Sequence, residues 1–156
     1  MKELFINRAK SCAITGHRVL RQDINLEKIK KAFLDLISDG YDTFLIGMAL
    51  GFDTLCFQIL ESIRQEKQIK LIACIPCPSQ SYKFTKEQKI EYDRMINSAD
   101  EKVLISQEYS ETCMRKRNDY MINNSSAVVC YLRRDFGGTV YTVNKAKKEN
   151  LNIIKI

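Results

Sequence analysis

Short apolar runs alternate along the whole chain with segments whose apolar residues recur at helical spacing. The runs lie at 11–15, 43–46, 71–75, 102–106, 127–132 and 152–156. Continuous apolar runs of this kind are typical of strands buried on both faces, and parallel neighbours need a crossover helix between them. The alternation therefore predicts one α/β domain over residues 1–156, with an open, mostly parallel sheet and helices on both faces.

Capping and terminating residues mark where the helices should begin and end. Asp23 and Asn25 are both suitable N-caps for a first helix that should stop at Gly40, and Asp53 is placed to cap the second. A more weakly patterned helix is predicted over 86–97.

Four loops should meet at the carboxyl edge of such a sheet, which is where ligands bind in open parallel folds. They lie at 16–18, 47–53, 79–85 and 136–139. In the last of them a strand end, two glycines and a hydroxyl precede a helix. The backbone can then approach a ligand closely, and the free N–H groups and the helix dipole favour an anion. Glycines also serve tight turns that hold no ligand, so each of these turns has two explanations.

One predicted helix places a charge among apolar residues. Met114, Arg117, Asn118 and Met121 fall on one face, and a buried unpaired guanidinium costs several kcal/mol. Two explanations stay open for Arg117. It forms a salt bridge to an internal carboxylate, with Asp53 as the candidate, or it grips the phosphate or carboxylate of a ligand with two parallel hydrogen bonds.

The composition indicates more about the environment in which the protein works than about its function. The net charge of +6 indicates either attraction to phosphates or simple surface solubility. No apolar run approaches the ~20 residues of a membrane span and the first residues lack the core of a signal peptide, so we expect a cytoplasmic protein that makes no use of a membrane. The six cysteines should then be free thiols. Cys74 and Cys77 have the spacing of a metal or redox pair, but nothing completes a zinc site, and we expect no metal and no required cofactor.

Three common site motifs are absent from the sequence. No dinucleotide fingerprint follows the first strand, and there is neither a P-loop nor a nucleophile elbow. The single histidine, His17, has no triad partner by sequence. Between Gly16 and Arg18 it is either a ligand contact or a histidine hydrogen-bonded at a strand end.

The chain carries five ordered motifs: Thr15-Gly16-His17-Arg18, Gly47-Met48-Ala49-Leu50-Gly51-Phe52-Asp53, the segment around Pro78 to Gln80, Arg117-Asn118-Asp119-Tyr120-Met121, and Gly137-Gly138-Thr139. Together they resemble those of the YpsA-like branch of the SLOG superfamily. The resemblance runs from about residue 11 to the C-terminus and implies a Rossmann-like domain. That superfamily includes the DNA-processing protein DprA, the LOG phosphoribohydrolases and sensor domains for nucleotide-derived signals.

The resemblance implies a nucleotide or nucleotide-sugar pocket in which the turn at 137–139 holds a phosphate. Arg117 and Asn118 match the position where LOG enzymes carry an Arg-Lys pair and DprA proteins carry Arg-Asn. The departure lies at Thr142, which stands where LOG enzymes have their glutamate. Because a threonine supplies no carboxylate for glycosidic cleavage, LOG-type hydrolysis is not expected unless Asp53 takes over that role.

The leading hypothesis is a binding module that senses or sequesters a nucleotide-derived small molecule, such as a nucleotide sugar or a relative of ADP-ribose or NAD. An N-glycosidase or phosphoribohydrolase-like nucleotide hydrolase is the first alternative. Single-stranded DNA binding ranks behind it, because the basic clusters lack an evident row of aromatic residues. Self-association into a homo-oligomer and a role in bacterial cell division rest on the family alone.

Within the loop at 79–85, Gln80 and Tyr82 either contact a base or are ordinary polar loop residues. The full set of predicted ligand-binding residues is Gly16, His17, Arg18, Gly47, Gly51, Asp53, Gln80, Tyr82, Arg117, Asn118, Gly137, Gly138 and Thr139.

Overall fold

Strands and α-helices alternate through residues 4–156, the part of the chain that the computed structural model describes. The strands are β1 (Ser11–Gly16), β2 (Thr43–Ile46), β3 (Lys70–Ile75), β4 (Glu101–Leu104), β5 (Ala127–Tyr131) and β6 (Asn152–Lys155). The helices are α1 (Leu26–Ser38), α2 (Phe52–Arg64), α3 (Lys86–Ser98), α4 (Cys113–Asn123) and α5 (Gly138–Lys148). A short 3₁₀ turn, Arg8–Lys10, leads into β1. The predicted α/β fold is confirmed.

The strands form one sheet in the order β4-β3-β2-β1-β5-β6. Every pairing among the described strands is parallel, so the sheet is more uniform than the mostly parallel one predicted. From β1 the chain moves outward through β2, β3 and β4, then returns along α4 to place β5 on the other side of β1. The strand order therefore reverses between β1 and β5, which is the position where open parallel sheets bind ligands.

Successive residues of the central strands pack on opposite faces of the sheet. Cys12 and Ile14 of β1 lie in the larger core cluster, which also contains buried residues of α1, α2 and α3. Ala13, between them, packs in a smaller cluster with residues of α4 and α5. Helices thus cover both faces, and this is why the central strands read as continuous apolar runs rather than as alternating ones.

The helix ends follow local chemistry with one correction. Asn25 caps α1 by accepting a hydrogen bond from Lys28 N, and Gly40 follows the helix with φ +104°. The prediction that Asp53 caps α2 is wrong. Gly51 occupies the N-cap position, and Asp53 lies in the first turn, where its carboxylate accepts from the Ala49 amide instead.

Several other boundaries differ from prediction by one or two residues. Helix α3 ends at Ser98, one residue later than expected, after a capping box between Thr85 and Gln88 fixes its start. Strand β4 covers Glu101–Leu104 rather than 102–106. It is an edge strand paired on one side only, so its exposed residues lack a continuous apolar pattern.

The cysteines are buried free thiols. The sulfur of Cys77 lies 4.0 Å from that of Cys113 on α4. The thiol of Cys74 instead contacts the Ile72 carbonyl within its own strand. Within residues 4–156 no three His, Cys, Asp or Glu side chains cluster as a metal site requires. No helix in that range is both long enough and apolar enough to cross a bilayer.

Candidate ligand-binding site

A cavity of about 740 Å³ lies at the carboxyl ends of β1 and β5, where the strand order reverses. We call it the arginine cavity, after Arg18, Arg21, Arg117 and Arg134 in its lining. Its remaining lining residues are Ile14, Thr15, Gly16, His17, Val19, Ala49, Asp53, Met114, Asn118, Gly138 and Thr139. Three of the four predicted loops, those after β1, β2 and β5, therefore meet here together with the first half of α4, whereas the loop at 79–85 lines a neighbouring cavity.

The charges around this cavity are unbalanced. Arg18, Arg21 and Arg134 form no ion pair with any described carboxylate. Among the described residues that line the cavity, Asp53 is the one carboxylate. A concave site with an excess of positive charge focuses a positive potential, so the cavity is complementary to an anion.

The amino end of α5 adds uncompensated backbone donors. Gly137 takes the N-cap position with φ +103°, and no side chain caps the helix. A methyl group placed on Gly138 would meet nothing within 4 Å, so the first turn is open to an approaching group. Unpaired N–H groups and the helix dipole favour an anion at such a terminus.

Thr142 does not reach the cavity. Its side chain is fully buried, and its hydroxyl donates to the Gly138 carbonyl within α5 at 2.9 Å. The position that corresponds to the LOG glutamate therefore faces the packed side of the helix.

Arg117 is 6% exposed and directs its guanidinium to backbone and side-chain oxygens. Its Nη1 donates to the Gly47 carbonyl, and its Nε donates to Asn118 Oδ1 at 2.8 Å. The predicted alternative of a salt bridge to Asp53 is not formed within 4 Å. Burial lowers the pKa of Arg117, and the charge of Asp53 acts against that shift. The remaining N–H groups have no partner among the described residues, so Arg117 retains donors for a ligand.

Asp53 is the second buried charged residue, and only one of its two carboxylate oxygens has a hydrogen-bond partner. One oxygen accepts from the Ala49 amide at 3.1 Å, while Oδ1 is buried without any hydrogen-bond partner in the described chain. Burial raises the pKa of Asp53 to about 6, although the nearby Arg117 charge lowers it. This oxygen therefore has an unused acceptor position in a residue that lines the arginine cavity.

The raised pKa of Asp53 predicts a pH-dependent loss of stability. The pKa rises from 3.8 to about 6 on folding. The folded state then holds this proton more tightly, so the contribution of Asp53 to the free energy of unfolding is highest below about pH 4 and falls as pH rises through about 6. A shift of roughly two units corresponds to about 3 kcal/mol. We expect Asp53→Asn to remove this loss, as measured by urea unfolding of both proteins from pH 4 to pH 7.5.

Asp93→Asn is the matched control for that experiment, because Asp93 lies on the exposed side of α3 with its side chain 57% accessible. Its unfolding curve should stay parallel to that of the wild type across the same range. A constant difference between wild type and Asp53→Asn would contradict the assignment of the titration to Asp53.

His17 is held as a neutral ring. Its Nε2 accepts from the Arg133 amide at 2.8 Å, so the proton of the neutral imidazole is on Nδ1. Burial lowers the pKa of His17, and the charges of Arg134, Arg21 and Arg133 lower it further. The Nδ1 donor is buried without a partner in the described chain. The ring therefore has both features that were predicted as alternatives: a hydrogen bond at a strand end and an unused donor in the cavity lining.

A polar network fixes the loop that carries His17 to the end of β5. The Tyr131 hydroxyl accepts from the Arg21 amide at 3.0 Å and donates to Asp23 at 3.1 Å. Arg133 also donates to Asp23, at 2.7 Å, while its guanidinium lies 4.4 Å from the centre of the Tyr131 ring. The wall of the cavity between β1 and β5 is thus pre-organised.

Five of the predicted site residues lie outside the arginine cavity lining. Gly47 supplies its carbonyl to Arg117, and Gly51 and Gly137 adopt positive φ in the turns before α2 and α5. Gln80 and Tyr82 line a second cavity of about 570 Å³, which also contains Tyr109. We call it the tyrosine cavity, after Tyr82 and Tyr109.

Comparison with known proteins identifies the family of this chain. The family model described as the YspA SLOG family matches residues 13–154. The chain belongs to the YspA SLOG family. The SPbeta prophage-derived protein YoqJ of Bacillus subtilis is 34% identical over 123 aligned positions, which cover 69% of this chain and 71% of YoqJ. A UPF0398 protein of Listeria innocua is 25% identical, with coverage of 92% of this chain and 87% of its own.

Two solved structures share the fold of this YspA SLOG domain. DprA of Streptococcus pneumoniae superposes with a TM-score of 0.65 at 16% identity, over 93% of this chain and 49% of that one. DprA of Helicobacter pylori, described as binding single-stranded DNA in a unique mode, superposes with a TM-score of 0.68 at 16% identity, over 96% and 65%. The YspA SLOG domain thus spans less than two thirds of either DprA chain.

Sequence reasoning missed several lining residues of this YspA SLOG site. Arg21 and Arg134 line the arginine cavity, and Met114 borders both cavities. The available signal for Arg134 was its position directly after a buried strand and before two glycines. Arg21 carried no such signal, because it lies in an irregular loop whose path is set by the distant Tyr131 hydroxyl.

Proposed function

We propose that the arginine cavity binds the phosphate-bearing end of a nucleotide-derived small molecule, which the protein senses or sequesters. One observation carries the proposal: four arginines and the uncapped first turn of α5 surround a single cavity that contains one carboxylate among the described lining residues. Anions bind at helix amino ends that combine free N–H groups with positive side chains. The proposal requires no resident cofactor.

Two unpaired buried polar atoms support a ligand that also carries hydroxyl groups. Asp53 Oδ1 and His17 Nδ1 are both buried without a partner in the described chain, and both residues line the arginine cavity. A ribose hydroxyl donates to a carboxylate and accepts from an imidazole N–H, so a sugar phosphate satisfies both atoms at once. An inorganic anion that carries no hydroxyl group cannot donate to Asp53 Oδ1.

Arg134→Ala tests this proposal, because the side chain is exposed and forms no ion pair with a described carboxylate. A ligand at about 100 times its Kd adds about 2.7 kcal/mol, which raises the midpoint of a domain this size by roughly 5–10 °C. We expect a thermal-shift panel of AMP, ADP-ribose, NAD and cyclic nucleotides to contain at least one such ligand for the wild type. The shift should be largely lost in Arg134→Ala.

Arg8→Ala is the matched control, since it removes the same charge from an exposed position before β1, away from the carboxyl edge of the sheet. It should retain the full shift. If no nucleotide stabilises the wild type, or if Arg134→Ala responds as strongly as the wild type, the proposal fails. Each mixture is then separated by chromatography, because release of a free base would identify a hydrolase in which Asp53, with its raised pKa, is the acid or base to test.

We propose single-stranded DNA binding as a second candidate. It is favoured by the exposed Phe136, which lies 4.8 Å beneath the Arg134 guanidinium beside the arginine cavity, and by the shared fold with DNA-binding DprA. Stacking on an aromatic side chain contributes about 1–3 kcal/mol per base. We expect Phe136→Ala to weaken binding of a labelled oligothymidine by roughly tenfold in fluorescence anisotropy, with Phe5→Ala as the exposed aromatic control. Absence of binding by the wild type at low salt would exclude this candidate.

A further inference from the structure

The tyrosine cavity presents aromatic surface that the fold itself does not use. Tyr82 is 85% exposed and Tyr109 is 67% exposed. Neither phenol has a hydrogen-bond partner, and neither ring contacts another ring, within the described chain. Large exposed aromatic side chains that cluster at a cavity are typical of recognition sites rather than of a solvated surface.

The rest of the tyrosine cavity suits a flat apolar group with a negative neighbour. Leu50, Phe84 and Met114 supply apolar surface, and Lys83 and Arg18 supply positive charge. Neither of these cations is paired with a described carboxylate. A volume of about 570 Å³ is ample for a heterocyclic ring system.

The two cavities adjoin each other. Arg18, Ala49 and Met114 line both. A single molecule can therefore place its anionic end in the arginine cavity and extend past Met114 into the tyrosine cavity.

The loop that carries Tyr82 is held in place by Gln80. Its Nε2 donates to the Gly47 carbonyl at 2.9 Å, and its Oε1 accepts from the Tyr92 hydroxyl at 2.9 Å. Gly47 also accepts from Arg117, so one carbonyl anchors a residue from each cavity. Each polar group of the Gln80 amide therefore already makes one hydrogen bond within the protein, which fixes the orientation of the side chain.

We propose that the tyrosine cavity is a base-binding subsite, which receives the heterocyclic base of a nucleotide whose phosphate lies in the arginine cavity. This inference rests on the proposed function and specifies its ligand class. The base stacks on Tyr82 and Tyr109, and Met114 lines both subsites. Since recognition is by ring faces, the subsite discriminates weakly among the four bases.

The test compares AMP with ribose 5-phosphate, which share the sugar phosphate and differ by the base. Isothermal titration calorimetry of the wild type should give an affinity for AMP on the order of tenfold or more above that for ribose 5-phosphate. The double variant Tyr82→Ala/Tyr109→Ala should abolish this preference and leave ribose 5-phosphate binding unchanged. Tyr82→Phe/Tyr109→Phe keeps both rings and should retain the preference. GMP, CMP and UMP should bind the wild type within about tenfold of AMP.

Phe5→Ala is the matched control, because Phe5 is 87% exposed and lies at the other edge of the sheet, near Thr43 and Lys70 at the starts of β2 and β3. It should behave as the wild type does. Equal wild-type affinities for AMP and ribose 5-phosphate, or a preference that survives in the double alanine variant, would overturn the base subsite while leaving the phosphate site intact. Loss of both ligands in Arg134→Ala supports the phosphate site independently. Failure of the wild type to bind either ligand overturns both proposals.

Discussion

Replacing Arg117 with methionine is expected to lower the free energy of unfolding by about 3–5 kcal/mol at pH 7.5. The substitution keeps a long side chain but leaves the Gly47 carbonyl without the guanidinium donor and removes the charge that opposes the raised pKa of Asp53. After this change the buried Asp53 carboxylate lacks the compensating charge of Arg117, and this lowers the stability of the folded state. Urea unfolding of the purified variant measures the loss. Arg117→Lys should recover only part of it, since an ammonium cannot donate to Gly47 and Asn118 in the same planar geometry.

The double variant Arg117→Met/Asp53→Asn isolates the electrostatic part of that loss. We expect it to be more stable than the sum of the two single changes predicts, by about 1–3 kcal/mol. The penalty of Arg117→Met should also shrink near pH 5, where Asp53 is protonated in the folded state. Strict additivity at pH 7.5, or a loss that does not depend on pH, would mean that Arg117 acts through packing and its hydrogen bonds to Gly47 and Asn118, and not through the charge of Asp53.

Among single glycine-to-alanine substitutions, Gly51→Ala is expected to be the most destabilising. It should lower the free energy of unfolding by more than about 4 kcal/mol. Two causes combine at this position. The residue has φ +81°, and its new Cβ would lie 2.1 Å from the Arg18 carbonyl oxygen, which is a backbone atom and cannot swing aside. Relief of the overlap would displace the loop after β1 and with it a wall of the arginine cavity. Equilibrium unfolding in guanidinium chloride measures the loss.

Two other glycines separate the causes. Gly40 has φ +104° but would place a Cβ in open space, so Gly40→Ala should cost only about 1–2 kcal/mol of backbone strain. Gly138 has neither a positive φ nor a neighbour within 4 Å, and Gly138→Ala should leave stability nearly unchanged. It should nevertheless weaken phosphate binding, because the methyl group would occupy the open first turn of α5. A loss in Gly51→Ala no larger than that in Gly40→Ala would show that the Arg18 loop relaxes freely.

The carbonyl of Gly47 holds a side chain from each of the two cavities. It accepts from Arg117 in the arginine cavity and from Gln80 beneath the tyrosine cavity. A Cβ at this position would lie 2.9 Å from the Arg117 guanidinium carbon, so a larger residue would crowd that buried side chain. Gly47 was predicted from the sequence to contact a ligand. In the structure its carbonyl orients two side chains that line the cavities.

Local rules accounted for most of the fold. Apolar runs and helical periodicity gave the element order, because in a sheet buried on both faces each strand must be apolar throughout and each helix must bury one stripe. The same rules failed at Asp53, which was assigned as a cap from its position at the start of a helix. In the structure the Asp53 carboxylate accepts a hydrogen bond from the Ala49 amide, four residues earlier, and does not cap the helix. The fourth strand was predicted, but its bounds were placed one to two residues too late because edge strands carry no continuous apolar pattern.

The sequence by itself determined the fold class, the family and the cluster of loops at the carboxyl edge, since these depend on periodicity and on short motifs that act within a few residues of one another. Only the tertiary structure decided which side chains share a cavity and which are already occupied. Gln80 was predicted as a ligand contact, yet its amide is held by Gly47 and Tyr92. Arg21 and Tyr109 carried no signal, yet they line the two cavities. Hydrogen-bond competition and burial arise between residues distant in the chain, and periodicity contains no information about them.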